Sequence, residues 1–172
     1  MSKTKARRKW DSMWIRVRGC TSYKDVNVCE EWEDFDKFYE WIKPYFDKGM
    51  VHKNWHMDKD FLSQPDQKIY SPDTCCFLPP EINTHIISVD VNKNNDPFHK
   101  GRAMRYKYDI GLWYIDKGSV CGKWLGYFYT KDEAMVALGK FKKKRMKQLV
   151  EQYRDMLDPD LIPKLLAWEP VL

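Results

Sequence analysis

The sequence predicts an α+β protein: a small ββα core with flanking helices, followed by a three-stranded antiparallel sheet packed on one helix. Three observations carry this expectation. Between Trp55 and Ile87, two short apolar runs are separated by turn signals and closed by a helix start at Pro79-Pro80. From Met104 to Tyr129 three segments have the make-up of strands. Around them lie stretches whose apolar residues recur at helical spacing.

The elements follow in chain order. Residues Met1 to Lys9 hold Lys3, Lys5, Arg7, Arg8 and Lys9 and read as a basic tail that awaits an anion. Trp10, Met13, Trp14 and Val17 stand at i, i+3, i+4 and i+7, one stripe of a helix closed by Gly19, with Arg16 and Arg18 off that stripe. Val26 and Val28 alternate as a short strand. Trp32, Phe35, Phe38, Tyr39 and Ile42 make an aromatic helix face, which Pro44 is expected to end. The other face of that helix, Glu30 to Glu40, is acidic and would repel phosphate.

The ββα stretch begins with Trp55-His56-Met57-Asp58-Lys59-Asp60. It passes a loop at Gln64 to Gln67, then Ile69-Tyr70, a Ser71-Pro72-Asp73 turn, and the apolar run Cys75 to Leu78. Its helix carries Glu81, Ile82 and Asn83. On a strand, His56 and Asp58 share a face. Residues 89–99 are polar, rich in Asn, Asp and Lys, and read as a linker between a domain at 10–88 and one at 100–154. In the second domain Met104 to Ile110 and Leu112 to Ile115 alternate, Asp116-Lys117-Gly118 signals a hairpin turn, and Lys123 to Tyr129 reads as the third strand. Thr130 with Glu133 forms a capping box before a long helix whose apolar side includes Ala134, Leu138, Phe141, Met146, Leu149 and Val150. An apolar tail, 155–172, packs back on the core or meets a second copy of the chain as a homodimer.

Composition bounds the function. The chain of 172 residues is 15% aromatic, too rich in rings for a disordered protein. A net charge of +5, gathered into basic stretches at the N-terminus, at Lys100 to Lys107 and at Lys140 to Lys147, suits an anionic partner. No apolar run approaches the roughly 20 residues needed to cross a bilayer, and no apolar segment follows the basic N-terminus. A cytoplasmic protein without a membrane partner is expected. Five cysteines, an odd number without a C-x-x-C pair, read as reduced, buried thiols.

Two resemblances sharpen the expectation. Asp58-Lys59-Asp60, Ile69 to Cys75 and Glu81-Ile82-Asn83 resemble phage proteins of the HNH (His-Me finger) homing-endonuclease group. The spacing of Trp and Met near the N-terminus, and the Val28-Cys29-Glu30-Glu31-Trp32 run, are similar to the N-terminal half of the same family. The resemblance implies a divalent metal, Mg²⁺, held by Asp58 and Asn83 with Asp60, and a general base on the strand. Lys59 stands where that family has its histidine, and a lysine is protonated near pH 7 unless burial lowers its pKa. His56, two residues earlier, is the other candidate base.

The run from Lys123 to Ala134, with the strands before it, resembles the apetala-type (ethylene-response-factor-like) DNA-binding domain. Cations beside flat rings suit phosphates and base edges of duplex DNA, so Arg102, Arg105, Lys107, Trp113, Lys123 and Trp124 are the candidate contacts. Together the resemblances imply a double-stranded DNA-binding protein that is a metal-dependent endonuclease or nickase. The alternative is a relative that keeps DNA binding without cleavage and acts as a repressor or phage accessory protein.

Overall fold

A computed structural model of the protein describes residues 3–51, 54–64, 67–86, 104–116 and 120–170. The chain is of the α+β type and divides into two compact units. The first comprises Met1–Asn83 with Asp155–Asp158, the second Thr84–Arg154 with Pro159–Leu172. The stretch expected as a linker, 89–99, lies outside the described residues.

The first unit opens with helix α1 (Lys3–Gly19), so the residues expected as a free basic tail form its first turns. The physical reason is charge and ring pairing. Lys3 reaches Asp36 at 2.8 Å, Arg7 reaches Asp11 at 3.1 Å, and the Arg7 guanidinium lies over Trp10 and Phe35. Lys9 donates to the Trp55 carbonyl at 2.6 Å, and burial, then Arg16, lowers its pKa. The acidic helix face and the basic N-terminus therefore partly neutralise each other. Ala6 and Met13 are fully buried, and the Trp10 indole N–H donates to the Trp32 carbonyl at 2.8 Å.

After a 3₁₀ turn come strand β1 (Asn27–Val28) and helix α2 (Phe35–Asp47), capped by the Asp34 carboxylate, which accepts from the Asp36 N–H. Trp32, Phe38 and Ile42 fill the core, with Trp32 against Phe38 and Trp41. Pro44 sits inside α2 and does not end it. The proline and Glu40, four residues before it, are both exposed, so the carbonyl that loses its amide partner faces water. Tyr45, one residue on, packs on Trp41 and Phe77 and holds the last turn in place.

Strands β2 (His56–Asp58) and β4 (Cys76–Leu78) pair antiparallel, His56 opposite Leu78 and Asp58 opposite Cys76. Between them β3 (Ile69–Tyr70) leaves the hairpin to pair parallel with β1. Helix α3 (Pro80–Ile86) follows β4 directly, so the ββα order is present. β4 is buried throughout because α2 covers it through Trp41 and Tyr45. Cys75 and Cys76 are buried, and burial pushes the Cys75 thiol up to about 12. Cys20 and Cys121 are exposed, against the expectation that all five thiols are inside.

The second unit is built on the antiparallel sheet β5 (Met104–Lys107), β6 (Leu112–Ile115) and β7 (Tyr127–Phe128), backed by helix α4 (Lys131–Gln152). The β5–β6 turn lies at Tyr108 to Gly111, where Gly111 takes φ +68°, a conformation glycine adopts without strain. The turn signal at Asp116-Lys117-Gly118 follows β6, and its last two residues lie outside the described residues. β7 is far shorter than the expected 123–129, because Gly122 and Gly126 take φ of +77° and +107° and break the extended backbone ahead of it. Met104, Ile115, Val120, Ala134 and Leu138 form the core between sheet and helix.

The capping box of α4 is complete. Thr130 Oγ1 accepts from the Glu133 N–H at 3.1 Å, and the Glu133 carboxylate accepts from the Thr130 N–H at 3.3 Å. Helix α5 (Leu161–Leu166) belongs to the same unit, and beyond it Trp168 rests against His85 and under the Lys142 ammonium. This part of the tail packs back on its own unit. Among the described residues no helix is long and apolar enough to cross a membrane.

Candidate nucleic-acid interface and the ββα site

Strand alternation divides the three-stranded sheet into two faces. Met104, Tyr106, Trp113, Ile115 and Phe128 occupy one, and their register pairs Met104 with Ile115, Tyr106 with Trp113, and Trp113 with Phe128. This face meets α4. The other carries Arg105, Lys107, Leu112, Tyr114 and Tyr127, with Arg105 opposite Tyr114 and Tyr114 opposite Tyr127.

That outward face is a surface of rings and cations. Trp124 packs edge-on against Tyr127 at 4.9 Å and lies 6.3 Å from Tyr114. Trp124 and Tyr127 nevertheless stay 48% and 45% exposed, far more than a core ring would. The Lys107 ammonium lies 5.9 Å from the Tyr127 ring. Asp109, and after it Tyr127, hold that ammonium above the ordinary lysine pKa. Arg105 is half-buried, bonded through Nη2 to Asp116 at 3.1 Å, while its Nε–H has no partner among the described residues. The face can stack flat groups and offer charged N–H donors to anions, the two contacts that nucleic acids accept.

Of the six expected DNA contacts, the structure brings three together here: Arg105, Lys107 and Trp124. Trp113 is turned the other way and packs on the core, because it sits one residue from Tyr114 on an alternating strand. Lys123 precedes the strand, and its ammonium lies 6.0 Å from the Phe141 ring of α4, on the helix side. Arg102 lies outside the described residues. Sequence reasoning missed Tyr114 and Tyr127. The signal was available: counting by twos from Arg105 across the β5–β6 pair places Tyr114 beside it.

In the ββα unit, His56 and Asp58 share a face of β2, with Met57 buried between them. The Asn83 amide Nδ2 donates to His56 Nδ1 at 3.1 Å. A neutral His56 ring then carries its proton on Nε2 and presents a donor. Asn83 Oδ1 is buried without a hydrogen-bond partner in the described structure. Asp58 Oδ1 accepts from the N–H groups of Asp60 at 3.0 Å and Phe61 at 2.7 Å, which fixes the turn after β2. Burial raises the Asp58 pKa, and those two N–H bonds act against the rise.

Lys59 is turned into the first unit. It is 7% exposed, paired with Asp60, and its ammonium lies 5.6 Å from the Tyr23 ring and 5.9 Å from the Tyr70 ring. Its carbonyl accepts from the Ser63 hydroxyl. Lys59 is thereby a cation held between two rings that clamps the loop between β2 and β3 to the rest of the first unit. Asp60 accepts from Lys59 and takes no part in the His56–Asn83 hydrogen bond.

The oxygen donors that fit a small hard cation are the Asp58 carboxylate and the orphaned Asn83 carbonyl. Among the described residues no three His, Cys, Asp or Glu side chains gather into a metal-binding group. Mg²⁺ keeps several waters and takes only one or two protein carboxylates, so it does not require one. No family model, no curated protein and no solved structure matches this chain.

Proposed function

We propose that the protein binds double-stranded DNA through the outward face of its three-stranded sheet. The observation that carries this reading is the exposure of Trp124 and Tyr127 beside Arg105 and Lys107, on the face that α4 leaves uncovered. These rings pack on each other yet stay about half exposed, which leaves apolar area in water that contact with bases and sugar would remove. The Asp partners of Arg105 and Lys107 are screened, partly exposed pairs that a phosphate can replace. Gel-shift or anisotropy titration of a random-sequence duplex tests it. Binding should weaken steeply with salt, by a log–log slope of about 0.9 per phosphate contact. Affinity that stays flat between low and physiological salt refutes the electrostatic part.

A second reading, a DNA endonuclease or nickase of the kind the resemblance implies, is favoured by the unpartnered Asn83 oxygen beside the His56 donor. Asp58 and Asn83 would hold Mg²⁺, which when bound stabilises charge on a scissile phosphate. His56 would offer its Nε2–H as a hydrogen-bond donor to a phosphate oxygen. Lys59 holds the loop in this scheme and moves no proton. Supercoiled plasmid incubated with Mg²⁺, with and without chelator, tests this reading. DNA that is bound yet left intact in both Mg²⁺ and Mn²⁺ makes the protein a binding module with a scaffold ββα unit.

A further inference from the structure

Helix α4 carries a second charged surface, on the side away from the sheet. Between Ala134 and Val150 it has six cations and no acid. Lys142 is turned inward over Trp168, and Lys143 is paired with Glu169. Lys140, Lys144 and Lys147 are exposed, and none is joined to an acid among the described residues. Elsewhere the helices of this chain set surface cations against acids three or four residues away, as in Arg7–Asp11, Lys37–Glu40, Lys43–Asp47 and Arg154–Glu151. Helix α1 also leaves exposed Lys5 and Arg8 without an acid among the described residues, whereas the middle of α4 lines up three such lysines on one face.

Geometry makes the three lysines one stripe. At about 100° per residue they stand roughly 180° to 240° around the helix from Leu138, which is buried against the sheet. From Lys140 to Lys147 the stripe is about 10 Å long, the rise of about three nucleotides along one strand of a duplex. Like charges at this spacing cost an isolated helix a few tenths of a kcal/mol per pair. An anion with charges repeated along a line removes that cost at every lysine.

Two other anionic partners fit less well. A membrane-surface helix needs an exposed apolar face, and the apolar face of α4 is buried through Ala134, Leu138, Met146, Leu149 and Val150. A protein partner needs a desolvated apolar or aromatic anchor, and beside the lysine stripe α4 exposes one apolar side chain, the small Val136.

We infer that the Lys140–Lys144–Lys147 stripe is a second duplex-DNA site, contacting phosphates without reading sequence, so that one protein molecule bridges two DNA segments. This inference rests on the sheet-face reading above, since bridging needs both surfaces. The sheet face holds one duplex while α4, on its other side, holds the next.

The test uses the full chain, a bead-bound duplex and a second, fluorescent duplex. Wild-type protein should carry the fluorescent duplex to the beads, with a capture that falls by a log–log salt slope of about −2.7 from three lysines. Lys140→Gln, Lys144→Gln and Lys147→Gln combined should still bind one duplex and lose capture of the second. The Glu triple variant should do the same; both substitutes are good helix formers at exposed positions, and circular dichroism checks that α4 persists. Binding of one duplex without capture by wild type overturns the inference and leaves the sheet-face reading intact. Capture that survives both triple variants also overturns it, and means that two copies of the chain join through their sheet faces. Failure to bind any duplex removes both readings. Equal, lysine-dependent binding to phosphatidylserine vesicles overturns the assignment of DNA as the partner.

Discussion

Replacing Lys59 separates a catalytic lysine from a structural one. Its side chain is 9% exposed and held between Tyr23 and Tyr70, with Asp60 at its tip. Lys59→Ala removes three buried methylene equivalents, about 0.8 kcal/mol each, and two ammonium–ring contacts of at least about 0.5 kcal/mol each. The sum is about 3 kcal/mol. Lys59→Met keeps most of the stem and removes only the charge, so its cost is nearer 1 kcal/mol. In a unit of this size each kcal/mol moves the melting midpoint by about 4–8 °C. Thermal unfolding followed by circular dichroism should therefore rank wild type above Met above Ala, with the wider gap between Met and Ala. DNA affinity of the Met variant should match wild type at a temperature where both are folded. Should Lys59→Ala melt within about 0.5 kcal/mol of wild type, the range of an ordinary surface substitution, the clamp does not exist. Should Lys59→Met abolish cleavage by a proven nuclease while leaving its melt unchanged, the lysine is a catalytic group.

Three further outcomes are expected. Arg105→Ala with Trp124→Ala should weaken duplex binding by at least about 1–3 kcal/mol, the worth of one stacked ring, with the cooperative melt kept because both residues stand outside the core; loss of that melt would mean that Trp124 belongs to the core. Asp58→Asn should stabilise the first unit at neutral pH, since the amide oxygen still accepts from Asp60 and Phe61 and no charge is buried. A raised folded pKa means that the native state holds the extra proton, so the native carboxyl's penalty grows as pH rises from 3.8 through the folded value, and the variant's gain should vanish below 3.8. His85, its pKa lowered by burial with Lys142 and Arg145 adding to the effect against its bond to the Lys142 carbonyl, leaves the unfolded chain binding more protons below pH 6.5. Unit stability should be complete above 6.5 and fall as pH drops below it, and His85→Gln should flatten that fall in a pH series of melts.

What was legible in the sequence was local. Thr130, Glu133 and the apolar residues after them specify the start and inner face of α4 through bonds and spacings within one helix. The ββα order was readable because Ser71 to Pro80 punctuates it. Alternation placed Arg105 and Lys107 on one face, and the structure keeps them there. What escaped depends on partners far along the chain. Lys59 reads as a residue in the place of the family's histidine until Tyr23 and Tyr70 close around it. The basic N-terminus reads as free until Asp36 and Phe35 meet it. Lys123 looked like a strand residue because its neighbours are aromatic, and the positive φ of Gly126 is what removes it from the sheet.

The placement of the tryptophans has an optical consequence. Trp32 is 1% exposed, with the Trp41 ring 4.5 Å away, so its emission is shielded from dissolved quenchers and its excitation couples to a neighbour. Trp124 is nearly half open to solvent, beside Arg105 and Lys107 in the surface argued to meet DNA. The molecule thus contains its own reporter pair. Iodide or acrylamide should dim Trp124 more than Trp32, and a ligand seated on the sheet should restore the part of the dimmed emission that Trp124 contributes. Loss of the shielded fraction signals unfolding of the first unit, so one emission spectrum distinguishes occupancy from damage.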